Sequence, residues 1–263
     1  MLPNRLQKYL KTPTTSDDKY ARGVVGFITG SENYPGAALL GVTAAIRTGI
    51  GLVRYLGPES LQNLILENRP EVVCIPGRVN AWVLGSGVPA SEVNRLEDAF
   101  ESEAPKILDA GALETCNFET LNGTAILTPH AGEAAALLSR IDEQIDRKVV
   151  ESDPEAIALK LAHLTGQTVC LKGNITFVAN EHGEVVSVGP NPSDLATAGT
   201  GDVLAGIMGA LLAAHSDDFD SLDIAQTAVL IHTEAARRLS VSGPIAALDL
   251  ADQVRTVVAD WRT

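Results

Sequence analysis

The sequence has few cysteines, few aromatic residues and less positive than negative charge. Its three cysteines, Cys74, Cys116 and Cys170, are far apart and match no metal-ligand spacing. They argue against a disulfide framework and are typical of reduced thiols in a cytoplasmic protein. Lysine and arginine number 20 against 33 acidic residues, which gives a formal net charge of −13. A nucleic-acid-binding protein usually presents a basic surface, so this balance argues against one.

Long apolar runs are also missing. No stretch is apolar over enough residues to predict a membrane span, and residues 1–20 contain no apolar core of the kind found in signal peptides. The hydrophobic fraction of 45% is nevertheless ample for a buried core. No linker, repeat or composition break divides the chain. We therefore predict a polar N-terminal leader at residues 1–22 and one domain at residues 23–263, in the cytoplasm.

Short apolar runs alternate with helical patterns along the chain. Helices are predicted near residues 37–48, 61–67, 91–101, 133–138, 154–165, 204–214, 222–239 and 245–258. Strands are predicted near residues 24–29, 51–55, 71–75, 81–84, 106–109, 124–127 and 168–171, with a hairpin at 176–179 and 185–188. This alternation indicates a mostly parallel sheet with helices on both faces, a three-layer α/β sandwich.

The most informative stretch, residues 191–212, centres on Gly199-Thr200-Gly201-Asp202. Its glycines allow a tight turn, and the free N–H groups at the start of the following apolar helix favour negative charge. We therefore predict that Gly199, Thr200 and Gly201 form an anion hole for a phosphate or for a phosphoryl group in transfer. Asp202 is either a general base for an attacking hydroxyl or only the N-cap of the helix.

Other candidate residues follow predicted strands. Lys172 can pair with a phosphate, Gly173 permits close approach and Thr176 offers a hydroxyl, although Lys172 alone is also a common strand-end residue. His130 stands at a strand-to-helix junction, as a substrate contact or a structural residue. Ligands of open α/β sheets bind at the carboxyl ends of the strands. The loops expected to converge there contain Gly30, residues 85–87, His130, residues 172–176 and residues 199–202.

Three residues carry weaker predictions. Asp109 and Glu133 are candidates for holding magnesium through water, or are ordinary caps and surface acids. His232 lies in an apolar helix and is interpreted as a core or interface histidine. The helix at residues 225–239 has few charges, which predicts either packing on the sheet or contact with another subunit.

Five segments, in order, resemble those of the ADP/ATP-dependent (S)-NAD(P)H-hydrate dehydratases, a family of the ribokinase-like superfamily. They are Tyr34-Pro-Gly-Ala-Ala-Leu-Leu40, Gly85-Ser-Gly87, Leu127-Thr-Pro-His-Ala-Gly-Glu133, Leu171-Lys-Gly-Asn-Ile-Thr176 and Ala196-Thr-Ala-Gly-Thr-Gly-Asp-Val-Leu-Ala-Gly206. The resemblance implies a ribokinase-like fold and the repair of NADH or NADPH hydrated at ring carbon C6. ADP or ATP phosphorylates the ring hydroxyl, and phosphate then leaves to restore the double bond.

The resemblance also implies magnesium, a homo-oligomer that is often a tetramer, and pairing with an NAD(P)H-hydrate epimerase, expected here as a separate protein. It assigns roles to matching residues. Asp202 matches the acidic residue at the substrate hydroxyl. The hydrated nucleotide is expected at Ala38, Gly87, His130 and Asp202. The adenine nucleotide is expected at Lys172, Gly173, Asn174, Ile175, Thr176 and Gly201.

The chain departs from the family pattern in several places. Ser86 and Pro89 stand in Gly-Ser-Gly-Val-Pro, where the family usually has Gly-Pro-Gly-Leu-Gly. Ala131 replaces the usual proline after the histidine, and Asn174-Ile175 replaces smaller residues. These changes concern pocket shape and nucleotide preference, including ADP against ATP. Two other functions stay open: a small-molecule kinase of the vitamin-precursor type, and a catalytically inactive nucleotide-binding module.

Overall fold

A computed structural model describes residues 2–262 and contains one eight-stranded sheet in the order β2-β1-β3-β4-β5-β6-β7-β8. Its strands are β1 (Val24–Ile28), β2 (Leu52–Tyr55), β3 (Ala81–Leu84), β4 (Lys106–Leu108), β5 (Ala125–Leu127), β6 (Thr168–Leu171), β7 (Thr176–Ala179) and β8 (Val185–Val188). The first six strands in the chain pair in parallel, and the β7–β8 hairpin adds two antiparallel strands at one edge.

Helices connect the strands and cover both faces of the sheet. They are α1 (Pro35–Thr48), α2 (Glu59–Asn68), α3 (Glu97–Glu101), α4 (Gly111–Thr115), α5 (Ala131–Ile141), α6 (Arg147–Ser152), α7 (Pro154–Thr165), α8 (Thr200–Ala214), α9 (Ser221–Ser240) and α10 (Ala247–Trp261). Local sequence sets their ends. Asp153 caps α7, proline occupies its first position, and Gly166 closes it in the left-handed conformation.

Alternating residues of the central strands enter two separate cores. Ile107 of β4 and Ile126 of β5 point into a core formed with α1, α8, α9 and α10. Their neighbours Leu108 and Leu127 point into a second core formed with α4, α5 and α7. This period of two requires helices on both faces. The prediction of a three-layer α/β sandwich with a mostly parallel sheet is confirmed.

Glycines let α8 lie closely against α1 and the sheet. A methyl group at Gly206 would lie 2.2 Å from the carbonyl oxygen of Gly41 in α1. A methyl group at Gly209 would lie 2.2 Å from the side chain of Val83 in β3. The helix is otherwise nearly all buried and apolar. This packing holds the first turn of α8 at the carboxyl edge of the sheet.

One predicted strand was wrong, one predicted helix was right only in part, and two short helices were missed. Residues 71–75 form no strand, only an isolated bridge between Arg54 and Val73. Here the Arg54 guanidinium donates to the Ile75 and Arg78 carbonyl oxygens, so side-chain bonds replace a longer ladder. The predicted helix at residues 91–101 is a 3₁₀-helix, Ala90–Leu96, followed by α3. Helices α4 and α6, each under two turns, were not predicted, because so few residues carry little periodic signal.

The N-terminal segment contributes to the core. Its 3₁₀-helix, Asn4–Leu10, buries Leu6, Tyr9 and Leu10, and it lies against α9 and α10. The domain boundary at residue 23 stays a prediction. Helix α9 buries its apolar side chains against α8, α10 and the sheet, the first of the two alternatives proposed for that helix. Within residues 2–262, no helix is both long and apolar enough to cross a membrane.

Candidate functional site

Loops from neighbouring strands meet at the carboxyl edge of the sheet. After β1, the Gly30 amide donates to the Ser86 carbonyl oxygen after β3, at 2.7 Å. The Ser86 hydroxyl then donates to Asp109 after β4, at 2.8 Å. Asp109 in turn accepts from Lys172 after β6, at 2.9 Å. A methyl group at Gly201 would lie 3.5 Å from the Lys172 ammonium. The convergence expected from the sequence is therefore present.

The first turn of α8 offers free backbone donors. Within residues 2–262, the amides of Gly199, Gly201 and Asp202 have no acceptor in hydrogen-bond reach. The Thr200 amide instead donates to the Thr197 carbonyl oxygen, at 3.4 Å. The Thr200 hydroxyl is likewise turned inward, to the Leu195 and Thr197 carbonyl oxygens. The free amides fit the predicted anion hole, with Thr200 supporting it and Asp202 supplying the third donor.

Asp202 is not the N-cap of this helix. Gly199 occupies that position, in the left-handed conformation with φ of 90°, and α8 has no side-chain cap. Burial raises the pKa of Asp202 to about 7, the nearby Asp109 carboxylate acts in the same direction, and Lys172 opposes them. At neutral pH the unliganded protein therefore holds Asp202 as a mixture of carboxylic acid and carboxylate. A pKa near neutrality is the value that best suits a general base.

Asp109 and Lys172 form a buried ion pair at the centre of this edge. Burial opposes ionisation of Asp109, but Lys172, Thr128 and Ser86 together hold its pKa below the usual value. Thr128 donates to it at 2.8 Å. The Lys172 ammonium also lies 3.8 Å from Glu133. Although burial disfavours its charge, Asp109 and Glu133 raise the pKa of Lys172. Its positive charge is thus already matched by two carboxylates.

His130 caps α5. Its Nδ1 accepts from the amides of Gly132 and Glu133, at 3.0 and 3.1 Å, while the Glu133 carboxylate accepts from the His130 amide at 2.7 Å. This is a reciprocal capping box with histidine in place of serine or threonine. Because Nδ1 is an acceptor, the neutral ring carries its hydrogen on Nε2. The exposed His130 ring therefore presents a hydrogen-bond donor to a ligand.

A cavity of about 640 Å³ lies beside the start of α8. Its apolar wall is formed by Leu195, Leu204 and Val229. The predicted residues that line it are His130, Lys172, Gly173, Asn174, Thr176, Thr200 and Gly201. Apolar walls with a few convergent polar groups are typical of sites for small organic ligands. Ile175, although predicted with this group, lies outside the lining and is exposed.

Three residues that sequence reasoning left without a role here also line the cavity. Asn191 donates to the Gly173 carbonyl oxygen at 2.9 Å and so fixes the loop after β6. His232 bonds the Thr200 carbonyl oxygen at 2.9 Å, and burial lowers its pKa to about 4, so the neutral ring holds the first turn of α8. Arg147 projects from α6. Asn191 is the first residue of the informative stretch 191–212, whereas no sequence signal marked Arg147.

The remaining predicted substrate contacts lie toward β1 and β3. Ala38 is fully buried, and its methyl group packs under Gly30. Gly87 is half-buried, with φ of 67°, and a methyl group there would meet Ala37 at 2.8 Å. These residues do not line the cavity. Asp202 follows Gly201 in α8, and its carbonyl oxygen lies against Gly41 of α1, while Asp109 and Lys172 act on the pKa of its carboxyl group.

The protein residues do not form a complete metal cage. In residues 2–262, no group of three or more histidine, cysteine, aspartate or glutamate side chains could hold a metal ion. Asp109 and Glu133, the sequence candidates, both face Lys172. A magnesium ion here would need ligands from a bound nucleotide, as is common for this ion.

Comparisons with known proteins agree with this geometry. The family model described as NAD(P)H-hydrate dehydratase matches residues 25–255. The chain belongs to this family. It is 36% identical to the bifunctional NAD(P)H-hydrate repair enzyme of Mycobacterium leprae, over 95% of this chain and 54% of the relative. It is 32% identical to the ADP-dependent (S)-NAD(P)H-hydrate dehydratase of Neisseria meningitidis, over 95% of this chain and 88% of the relative.

Solved structures place the fold. The ADP/ATP-dependent NAD(P)H-hydrate dehydratase of Bacillus subtilis, co-crystallised with ATP and Mg²⁺, matches with a TM-score of 0.87 and 26% identity, covering 97% of this chain and 96% of that one. A ribokinase-like superfamily protein of Enterococcus faecalis shares the fold, with a TM-score of 0.82 and 21% identity over 97% and 95%. The predicted family and ribokinase-like fold are confirmed. The chain spans about half the length of the bifunctional relatives that it matches.

Proposed function

We propose that this chain catalyses the ADP-dependent dehydration of the S form of NADH or NADPH hydrate. The observation that carries the proposal is the position of Asp202 in the first turn of α8, among free amide donors and next to Gly201, which lines the cavity. A nucleotide in the cavity would place its phosphates over the first turn of α8. The hydrated nicotinamide nucleotide would approach from the side of β1 and β3, with its hydroxyl facing Asp202.

The chemistry has two steps. Asp202 takes the proton of the ring hydroxyl while the hydroxyl oxygen forms a bond to the terminal phosphorus of ADP. The bond between that phosphorus and the oxygen of AMP breaks at the same time. The carbon–oxygen bond of the phosphorylated ring then breaks and phosphate leaves with the bonding electrons, while the neighbouring ring carbon loses a proton to water and the double bond forms. The amides of Gly199, Gly201 and Asp202 stabilise the charge that develops on the phosphoryl group. His130 contributes its Nε2 hydrogen to bind the substrate.

One assay tests the proposal against the two alternatives. Purified protein is mixed with chemically hydrated NADH, magnesium and either ADP or ATP, and the near-ultraviolet absorbance of reduced nicotinamide is followed. Return of that absorbance only with nucleotide supports the dehydratase. A stable phosphorylated product without return of absorbance would identify a kinase. Nucleotide binding without either reaction would identify an inactive module.

The family resemblance and the relatives' names support ADP as phosphoryl donor. Magnesium, a homotetramer, a cytoplasmic location and pairing with a separate epimerase stay predictions. So do the individual roles of Ala38, Gly87 and the loop at residues 172–176. The apolar face of α9, which motivated the oligomer, is covered within the chain, so light scattering is the direct measurement of subunit number.

A further inference from the structure

The proposed nucleotide site is short of uncommitted positive charge. Among the cavity-lining residues in the described part of the chain, Lys172 is the only lysine and Arg147 is the only arginine. Lys172 contacts both Asp109 and Glu133, so these three side chains together carry a net charge of −1. His232 is neutral because burial lowers its pKa to about 4. A nucleoside diphosphate adds several negative charges beside Asp202, and free amides alone do not balance them.

Arg147 is held in the cavity wall by a helix that is itself well anchored. It occupies the first position of α6, after the Asp146 cap, whose carboxylate accepts from the Lys148 and Val149 amides. Val150 is fully buried, and α6 packs against α5. The side chain of Arg147 is 70% exposed, and within residues 2–262 it pairs only with Glu151, one turn along the same helix, at 2.6 Å. Exposed pairs of this kind contribute little to stability, so the guanidinium is readily released.

We propose that Arg147 leaves Glu151 and binds the phosphate groups of the adenine nucleotide in the cavity. The inference rests on the proposed function. A guanidinium donates two parallel hydrogen bonds to a phosphate, which a lysine ammonium cannot do. Arg147 thus supplies the charge that Lys172 has already committed to Asp109 and Glu133. Lys172 serves mainly to hold those two carboxylates.

Calorimetry on the whole chain tests this assignment with ADP and with uncharged adenosine. Arg147→Gln should weaken ADP binding about 3- to 10-fold and leave adenosine binding unchanged. Lys148→Gln is the matched control, because it removes one charge from the next residue of α6, which does not line the cavity. It should bind both ligands as the wild type does. Equal melting temperatures of the three proteins confirm that folding is unchanged.

A double-mutant cycle with Glu151 gives an independent test. Glu151→Gln frees Arg147 and should tighten ADP binding about 2- to 5-fold. In the Arg147→Gln background, the same change should have a smaller effect, because only the general loss of one negative charge remains. Equal effects in both backgrounds would contradict the release of Arg147 from Glu151.

The outcomes separate this inference from the proposed function. Wild-type ADP affinity in Arg147→Gln overturns the role of Arg147 and leaves the dehydratase proposal intact. An equal loss of ADP and adenosine affinity would mean that Arg147 contacts the adenosine part of the ligand, which also overturns a phosphate role. Failure of the wild type to bind ADP with magnesium present would overturn both proposals.

Discussion

Replacing Asp202 by asparagine should make the protein more stable and nearly inactive. The carboxyl pKa rises from its ordinary 3.8 to about 7 because the charged form is poorly solvated in the fold and faces Asp109. One pKa unit corresponds to about 1.36 kcal/mol, so the ionised carboxylate destabilises the fold by up to about 4 kcal/mol. Since the group keeps some exposure, we expect about 2–4 kcal/mol. Asparagine has nearly the same shape and avoids that cost.

The stability gain should depend on pH in a defined direction. Below about pH 4 the carboxyl group is protonated in the folded and unfolded states, and the wild type carries no penalty. Between about pH 4 and 7 only the unfolded chain has lost the proton, so wild-type stability falls as pH rises through the folded pKa. Urea unfolding at pH 5 and pH 8 should therefore show a small gain for Asp202→Asn at pH 5 and a larger gain at pH 8.

Turnover should respond in the opposite sense. Loss of a general base typically lowers the rate about 10²- to 10⁴-fold, while ADP binding should tighten slightly because a negative charge is removed. Wild-type kcat/KM should rise with pH to a plateau above about pH 7, where Asp202 is ionised. Asp217→Asn, an exposed acid beyond the other end of α8, is the matched control and should change neither quantity. Near-normal turnover in Asp202→Asn, or no extra stability at pH 8, would refute this reasoning.

Three further predictions concern the residues around Asp202. Lys172→Met should lower the free energy of unfolding by about 3–5 kcal/mol in urea, because it leaves Asp109 buried and unpaired; a loss below about 1 kcal/mol would contradict a structural ion pair. Gly201→Ala should keep the wild-type melting temperature but weaken ADP binding at least about tenfold, since among the described residues its methyl group would meet only Lys172, at 3.5 Å, and would otherwise fill the open space beside the free amides. Gly206→Ala should lower the free energy of unfolding by about 1–3 kcal/mol, because its methyl group meets the Gly41 backbone; a stable Gly206→Ala and a destabilised Gly201→Ala would refute the packing of α8. Burial lowers the pKa of His232 from 6.5 to about 4, so the free energy of unfolding of the wild type should fall by up to about 3 kcal/mol as the pH is lowered through this interval. The free energy of unfolding of His232→Gln should lack this pH dependence. The same pH dependence in both proteins would argue against a buried neutral histidine.

The sequence alone determined the layered fold and the family. Strict alternation of apolar runs with helical patterns requires a sheet covered on both faces, and β4 and β5 indeed divide their side chains between two cores. The glycine loops at residues 85–87 and 199–201 mark positions where the backbone must turn tightly or pack closely, which is a local property of the chain. Their order, with the Thr-Pro-His segment, was specific enough to identify the family.

The tertiary structure decided what each charge can do. The sequence predicts that Lys172 binds a phosphate, but its ammonium group forms an ion pair with Asp109, 63 positions earlier in the chain. Asp202 is a candidate base on sequence grounds alone, but its raised pKa depends on burial in the fold and on Asp109, which is distant in sequence. Arg147 and Asn191 enter the cavity only because α6 and the β8–α8 connection fold over it. Burial and long-range electrostatics depend on which distant segments pack together, and no local pattern of residues contains that information.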